Sequence, residues 1–164
     1  MKSLTLVRHA KSSWDDDSIA DRDRPLSKRG ERDAPKMGKR ILKAGIRPSL
    51  MLSSPANRAW TTARLVAAEI GYPPEFLQRE DDLYLATVSD ILDVIAAQDE
   101  GFNHLMLFGH NPGLTDFANF LVPGLTGNVP TAGVVSVSIH TDSWDLRDRP
   151  EAELVLYDFP KKRA

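Results

Sequence analysis

Residues 3–9 read Ser-Leu-Thr-Leu-Val-Arg-His, a short apolar run that ends in an arginine and a histidine. Its length and its content of branched residues predict a buried strand over residues 3–7. The same arrangement recurs twice along the chain. Residues 50–52 (Leu-Met-Leu) lead into Ser-Ser-Pro, and residues 105–108 (Leu-Met-Leu-Phe) lead into Gly-His-Asn-Pro. The sequence therefore predicts three buried strands, each followed at once by polar residues.

Helical patterns separate these strands. Apolar spacing and capping residues predict four helices, over residues 27–44, 54–70, 89–97 and 111–121. Met37, Ile41 and Leu42 are expected to face inward from the first helix. Three further strands are predicted, at residues 76–78, 135–139 and 154–156. Because strands alternate with helices, we predict a single-domain α/β fold over residues 1–164, a three-layer α/β/α sandwich with a mostly parallel sheet.

The composition excludes several classes of protein. Of 164 residues, 41% are hydrophobic and 27% charged, which is typical of a globular domain. There is no cysteine, so disulfides, thiolate zinc sites and a cysteine nucleophile are excluded. No apolar run reaches the length of a signal-peptide core or a membrane span. We therefore predict a cytoplasmic protein without a membrane partner.

Charge is distributed unevenly along the chain. Residues 22–47 contain ten Lys or Arg and three acidic residues, whereas residues 69–100 contain nine acidic residues and one Arg. Two solvated helix faces of opposite sign explain this pattern, and the alternative is that the basic stretch attracts an anionic ligand or an acidic protein partner. The basic stretch has no aromatic residue, which disfavours nucleic-acid binding.

The polar residues after the three buried strands are candidates for one shared site. In an open parallel sheet, ligands bind beyond the carboxyl ends of the strands. Arg8 and His9 follow the strand at residues 3–7, and His110 follows the strand at residues 105–108. Arg58 lies in the first turn of the helix that follows the strand at residues 50–52. Arginines and helix N-termini both bind phosphate. No metal-ligand spacing such as HxH or HExxH occurs, so we predict a phosphoryl site with no metal and no cofactor.

A histidine beside arginines has a particular chemistry. Neighbouring positive charge lowers the pKa of an imidazole, so that its neutral form carries a free lone pair at physiological pH. Such a ring is a nucleophile. The residues themselves leave open whether His9 or His110 attacks. Ser13 and Asp15 follow the first pair and are expected to contact the phosphate or its rim.

Four segments resemble a known family. Residues 6–10 (Leu-Val-Arg-His-Ala) resemble the RHG motif of the histidine phosphatase superfamily, which has the phosphoglycerate mutase-like fold. Residues 53–63 resemble its second arginine motif, and residues 108–112 its second histidine motif. Residues 24–34, with Arg-Pro-Leu-Ser and a following glycine, are similar to the SixA-type phosphohistidine phosphatases.

The resemblance implies a role for each matching residue. His9 would be the nucleophile and would pass through a covalent phosphohistidine, which water then hydrolyses. Arg8, Arg58 and His110 would hold the phosphoryl oxygens, whose charge is stabilised mainly by positioning and electrostatics. No metal would be required.

Many members of this family use an acid to protonate the leaving oxygen. Glu80, Asp81 and Asp82 lie in the corresponding region, either as this proton donor or as an acidic surface turn. An imidazole leaving group needs far less help from an acid than an alkoxide does. We therefore predict a phosphatase acting on phosphohistidine of a partner protein. The alternatives are a phosphomonoesterase for small phosphate esters, a mutase, and a non-catalytic module that binds phosphoryl groups.

Overall fold

Strands and helices alternate as the sequence predicts. The computed structural model describes residues 1–162. Within them, the strands are β1 (Lys2–Arg8), β2 (Leu50–Ser53), β3 (Gln78–Arg79), β4 (His104–Gly109), β5 (Val134–Ile139) and β6 (Ala152–Asp158). The helices are α1 (Lys28–Lys43), α2 (Asn57–Ile70), α3 (Val88–Ala96) and α4 (Gly113–Leu121).

The strands form one six-stranded sheet in the order β3-β2-β4-β1-β5-β6. The four strands from β3 to β1 are parallel, whereas β5 and β6 add an antiparallel edge. In this register Leu6 pairs with Leu107, and Arg8 pairs with Gly109. The prediction of a mostly parallel sheet is confirmed. The carboxyl ends of β2, β4 and β1 are neighbours at one edge of the sheet.

Two apolar layers cover the sheet, because successive strand residues point to opposite faces. One face, with Leu4, Leu6 and Leu107 among its residues, packs with α3 and α4. The other face, with Met51 and Met106, packs with α1 and α2. The central strands are therefore apolar on both sides, as parallel strands between two helix layers usually are. The three-layer α/β/α sandwich is confirmed.

Three local predictions need correction. Leu42 is 40% exposed rather than inward-facing, because α1 turns its Ala34, Met37 and Ile41 side toward the sheet. The short third strand of the sheet lies at residues 78–79 rather than 76–78. Helix α2 begins at Asn57 rather than at Ser54, whose hydroxyl makes other contacts described below.

Two glycines bring loops close to helix N-termini near the edge where β1, β2 and β4 end. A Cβ at Gly30 would overlap the Lys11 carbonyl oxygen, and a Cβ at Gly113 would overlap the Ala86 carbonyl oxygen. Any side chain at these positions would push the loops away from α1 and α4. In the part of the chain described, no helix has the length and apolar character needed to cross a membrane.

Candidate active site

The ends of three adjacent strands surround one cavity of about 270 Å³. Arg8 and His9 lie at the end of β1, His110 directly follows β4, and Arg58 projects from the first turn of α2. The structure therefore brings together the four residues that the sequence singled out. The cavity is lined by Arg8, His9, Lys11, Ser12, Trp14, Arg24, Arg58, Leu85, His110, Asn111 and Thr131.

His9 is held in one orientation by its ring nitrogen Nδ1. This atom lies 2.8 Å from the carbonyl oxygen of Ala10. A carbonyl oxygen can only accept, so Nδ1 carries the proton and donates it. In the neutral ring the lone pair is therefore on Nε2. His9 is only 8% exposed, and its backbone N–H donates to the Gly109 carbonyl at 3.1 Å.

The turn after His9 is tied to helix α2 by Thr62. The Ala10 amide donates to Thr62 Oγ1 at 3.0 Å, and this hydroxyl donates to the Arg58 carbonyl at 2.7 Å. Thr62 is fully buried. The Thr62 side chain thus connects the turn after His9 to the turn of α2 that carries Arg58.

The surroundings of His9 favour the neutral ring. The pKa of His9 is lowered from 6.5 to about 4, and burial is the largest cause. The positive charges of Arg58, Arg8 and Arg24 contribute to this lowering, while the hydrogen bond to Ala10 opposes it. His9 is therefore a neutral imidazole with a free Nε2 lone pair at pH 7.

His110 lies beside His9, with 5.2 Å between the ring centroids. Its Nε2 is 2.7 Å from Ser54 Oγ, and Ser54 Oγ already accepts the Ala56 amide at 3.2 Å. Within the described residues the Ser54 hydroxyl has no other acceptor than His110 Nε2, so we assign the hydroxyl proton to this bond and the His110 proton to Nδ1. Burial, followed by the charges of His9 and Arg58, lowers the pKa of His110 to about 3.

The three arginines around the cavity are each anchored by only part of the guanidinium. Arg8 Nη1 donates to the Val129 carbonyl at 2.9 Å, and Arg24 Nη2 donates to Ser12 Oγ at 3.0 Å. Arg58 Nη1 donates to the Asp21 carbonyl at 2.6 Å, and its Nη2 donates to Asp21 Oδ2 at 3.0 Å. These contacts fix the planes of the guanidinium groups and leave other nitrogens unused.

The unused nitrogens all belong to residues that line the cavity. Within residues 1–162, five buried side-chain nitrogens have no hydrogen-bond partner: Arg8 Nε, Arg24 Nε and Nη1, Arg58 Nε and His110 Nδ1. A buried donor without a partner costs about 1–3 kcal/mol. Because all five are donors on cationic or imidazole groups, they match the acceptor oxygens of a phosphoryl group.

Asp21 is a site residue that the sequence reasoning missed. Besides its two hydrogen bonds with Arg58, its Oδ1 lies 3.5 Å from Arg24 Nε, and its Oδ2 accepts the Tyr84 hydroxyl at 2.6 Å. The Tyr84 and Arg58 hydrogen bonds hold the pKa of Asp21 below its usual 3.8. Five acidic residues lie in residues 15–23, and no spacing singles out Asp21 among them.

The remaining predicted site residues do not line the cavity. Ser13 and Asp15 contact each other, through the Asp15 amide and Ser13 Oγ at 3.2 Å, while their neighbours Ser12 and Trp14 face the cavity. Glu80, Asp81 and Asp82 follow β3 but are not lining residues. Asp81 lies 3.6 Å from Arg22 in an exposed ion pair.

Of these three carboxyls, Glu80 has the pKa shift that a proton donor needs. Burial raises its pKa above the usual 4.5, and the charges of Asp82 and Asp81 raise it further. Over residues 1–162, no group of three or more His, Asp or Glu side chains is arranged to hold a metal ion. The lining of the cavity includes imidazole and guanidinium groups.

This fold and cavity, with two histidines and arginines at the ends of parallel strands, define a phosphatase. The chain belongs to the histidine phosphatase superfamily (branch 1), whose family profile matches residues 4–101. Within that superfamily its structure is similar to those of SixA proteins.

Three known proteins illustrate this similarity. An uncharacterized chloroplastic protein of Arabidopsis thaliana is 32% identical over 154 residues, which is 88% of this chain and 69% of that protein. A protein of Agrobacterium tumefaciens described as a SixA phosphohistidine phosphatase superposes with a TM-score of 0.83 and 25% identity, covering 97% of this chain and 98% of its own.

The third is the protein histidine phosphatase SixA, solved with tungstate, with a TM-score of 0.80 and 20% identity. It covers 96% of this chain and 97% of its own. The phosphoglycerate mutase-like fold is confirmed.

Proposed function

We propose that this protein is a metal-independent phosphatase that uses His9 as its nucleophile and acts on phosphohistidine of a partner protein. The observation that carries the proposal is the set of five unpartnered donors on residues that line the cavity. The guanidinium groups among them supply the positive charge that Mg²⁺ supplies in other phosphoryl-transfer sites. His9, a neutral imidazole in the same cavity, is then the nucleophile.

In the first step, the lone pair on His9 Nε2 attacks phosphorus. A new P–N bond forms to His9, and the P–N bond to the substrate imidazole breaks. Solvent protonates the second nitrogen of the substrate ring, so that the departing ring keeps the electron pair of the broken bond and leaves as neutral imidazole. The developing charge on the phosphoryl oxygens is stabilised by Arg8, Arg58 and His110 Nδ1–H, which are in place before the reaction.

In the second step, a water molecule attacks the phosphorus of phosphorylated His9. The new P–O bond forms as the P–N bond to His9 breaks, so that inorganic phosphate leaves and Nε2 recovers its lone pair. The proton of the attacking water goes to phosphate or solvent. His9 is then neutral again, as its lowered pKa requires.

The lack of a carboxylic acid among the described lining residues supports a nitrogen leaving group. Within residues 1–162 no carboxyl group lines the cavity, and Asp21, the acid next to Arg58, has a lowered pKa and is ionised at neutral pH. Once solvent has protonated its second nitrogen, the substrate ring leaves as neutral imidazole, whose conjugate acid has a pKa near 6.5, far below the pKa of an alcohol, so no acid from the protein is needed. A phosphorylated histidine fits this site better than a phosphate ester.

A small phosphate ester is the second candidate, and Glu80 is the observation that favours it. Its raised pKa is what a general acid needs, although Glu80 does not line the cavity. If Glu80 acts in this way, replacing it with glutamine lowers turnover of an ester and leaves turnover of phosphohistidine unchanged. The Asp81→Asn protein is the matched control for a lost carboxylate.

The test compares phosphate release from a histidine-phosphorylated protein and from p-nitrophenyl phosphate. We expect rapid release from the protein and slow release from the ester. His9→Ala should reduce both by several decades, each decade being about 1.4 kcal/mol of activation free energy. His140→Ala, which removes an exposed histidine outside the cavity, should have no effect.

The opposite results separate the alternatives. Faster release from the ester would identify a phosphomonoesterase. Unchanged turnover in His9→Ala would show that His9 is not the nucleophile. No turnover by the wild type together with retained phosphate binding would identify a binding module.

A further inference from the structure

Two large apolar side chains line a cavity that is otherwise polar. Trp14 and Leu85 are the apolar members of its lining, and the other nine residues are charged, imidazole, hydroxyl or amide side chains. Trp14 is 66% exposed and Leu85 is 55% exposed. A phosphoryl group has no use for apolar surface. These two side chains are therefore available to contact the part of the substrate to which the phosphoryl group is attached.

The indole of Trp14 is held in place by a residue of the phosphoryl site. The guanidinium carbon of Arg24 lies 3.4 Å from the centroid of the indole ring. Arg24 is itself buried and is fixed by its hydrogen bond to Ser12. One face of the indole is covered in this way, while most of Trp14 stays open to solvent. The ring is thus a rigid, accessible surface next to the unpartnered Arg24 nitrogens.

Leu85 is exposed because both of its neighbours are fixed. The Tyr84 hydroxyl donates to Asp21, and Ala86 is buried with its carbonyl against Gly113. The backbone of Leu85 has a φ of 50°, a left-handed conformation that a branched side chain rarely adopts. Strained backbone of this kind is concentrated at functional sites. Here it directs an apolar side chain to the cavity instead of the core.

We propose that Trp14 and Leu85 recognise the imidazole ring that carries the phosphoryl group, and so determine the preference for phosphohistidine. This inference rests on the proposed function. A phosphorylated histidine in the cavity has its phosphoryl oxygens on the arginines and its flat ring at the rim, where a fixed indole and an aliphatic side chain are available. Aromatic rings pack favourably with one another in offset or edge-to-face arrangements.

A purely structural role for Trp14 predicts a different outcome. If Trp14 only keeps Arg24 in position, its loss weakens binding of every phosphoryl compound to the same degree. If it recognises the ring, its loss affects only substrates that have a ring. Phosphoramidate ion separates the two, because it has the same P–N bond as phosphohistidine but no ring.

The experiment measures kcat and KM for a histidine-phosphorylated protein and for phosphoramidate with the wild type and three variants. In Trp14→Ala and Leu85→Ala, we expect kcat/KM for the protein to fall about tenfold through KM, which equals about 1.4 kcal/mol. Phosphoramidate turnover and inhibition by inorganic phosphate should stay within about twofold, far less than that decade. Trp14→Phe, which keeps a flat apolar ring, should restore most of the loss.

Phe76→Ala is the matched control. Phe76 is 62% exposed and lines a separate cavity of about 660 Å³ near residues 47–50, which contains none of the predicted site residues. Its loss should leave both substrates unaffected.

Equal losses on both substrates, or no loss on either, would overturn the proposal. Wild-type turnover of phosphoramidate without turnover of the phosphorylated protein would also overturn it, while leaving P–N hydrolysis intact. Absence of His9-dependent turnover of both would instead refute the proposed function.

Discussion

The protonation state of His9 can be tested by lowering the pH. Burial and the neighbouring arginines lower its pKa from 6.5 to about 4. This difference corresponds to about 3 kcal/mol in favour of the neutral ring. At pH 5, an ordinary histidine would be neutral in about 3% of molecules, whereas a ring with a pKa of about 4 would be neutral in about 90%. The nucleophile thus differs about thirtyfold in abundance at this pH.

Two-dimensional NMR of the labelled imidazole rings measures this difference directly. The His9 resonances are assigned by comparison with His9→Ala and followed from pH 7.5 to the acid limit of folding. We expect neutral-ring chemical shifts, with the proton on Nδ1, down to about pH 5. In Arg58→Gln, the midpoint should move to higher pH, because Arg58 is the largest of the three charge effects on His9.

A midpoint near 6.5 in the wild type would refute this reasoning, since it would mean that burial and the arginines do not destabilise the imidazolium. A proton on Nε2 instead of Nδ1 would refute the assignment of the nucleophilic atom. The position of the Arg58→Gln midpoint separates the contribution of charge from that of burial.

Three further predictions concern stability and positioning. The pKa values of His9, His104 and His110 are all lowered, to between about 3 and 4, so the unfolded chain binds more protons below pH 6.5. The free energy of unfolding should therefore fall as the pH drops from 6.5 toward 4, and His104→Gln should reduce the slope by up to about 1.4 kcal/mol per pH unit, measured by urea unfolding; equal slopes would contradict it. Gly113→Ala should lower the free energy of unfolding by about 3 kcal/mol, because its Cβ meets the Ala86 backbone, whereas Gly127→Ala, with no atom within 4 Å, should change it by less than about 0.5 kcal/mol; comparable losses would refute the close approach. Asp21→Asn should lower kcat/KM about tenfold by loosening Arg58, while Asp16→Asn should not, because the Asp16 side chain bonds only Ser18; identical kinetics would rule out a positioning role.

The main features of the site could be predicted because they depend on local patterns. Buried strands are short apolar runs, and the residue after such a run in a parallel sheet lies at the ligand-binding edge. The positions of Arg8, His9 and His110 at this edge could therefore be predicted without any knowledge of tertiary contacts. Arg58 could be assigned to the site because it lies in the first turn of the helix that follows such a strand.

The missed features depend on contacts between distant segments. Asp21 and Tyr84 are 63 residues apart; Asp21 begins a single 3-10 turn and Tyr84 directly follows another, and such short turns give no periodic sequence pattern. The contact between them depends on how two distant loops pack at the edge of the sheet. Leu85 is exposed only because its two neighbours are held by Asp21 and Gly113, which no local pattern reveals.

The start of α2 was misplaced for a chemical reason. Ser54 and Pro55 have the residue types of an N-cap and first helical position. However, the Ser54 hydroxyl is engaged with His110 Nε2 and the Ala56 amide, and the helix begins at Asn57 without a side-chain cap. The preference of serine for the N-cap position is overridden because the Ser54 hydroxyl is hydrogen-bonded to a site residue instead of to the helix N-terminus.

The order of the strands has a consequence for synthesis in the cell. β1 is paired on one side with β4 and on the other with β5, so both of its partners begin more than 100 residues later. At translation rates of about 5–20 residues per second, this apolar strand waits on the order of 5–20 s without a partner. During that time it has two unpaired edges, which favour aggregation. We expect the nascent chain to depend on chaperones until residue 139 has left the ribosome, although the finished domain hides β1 at the centre of its sheet.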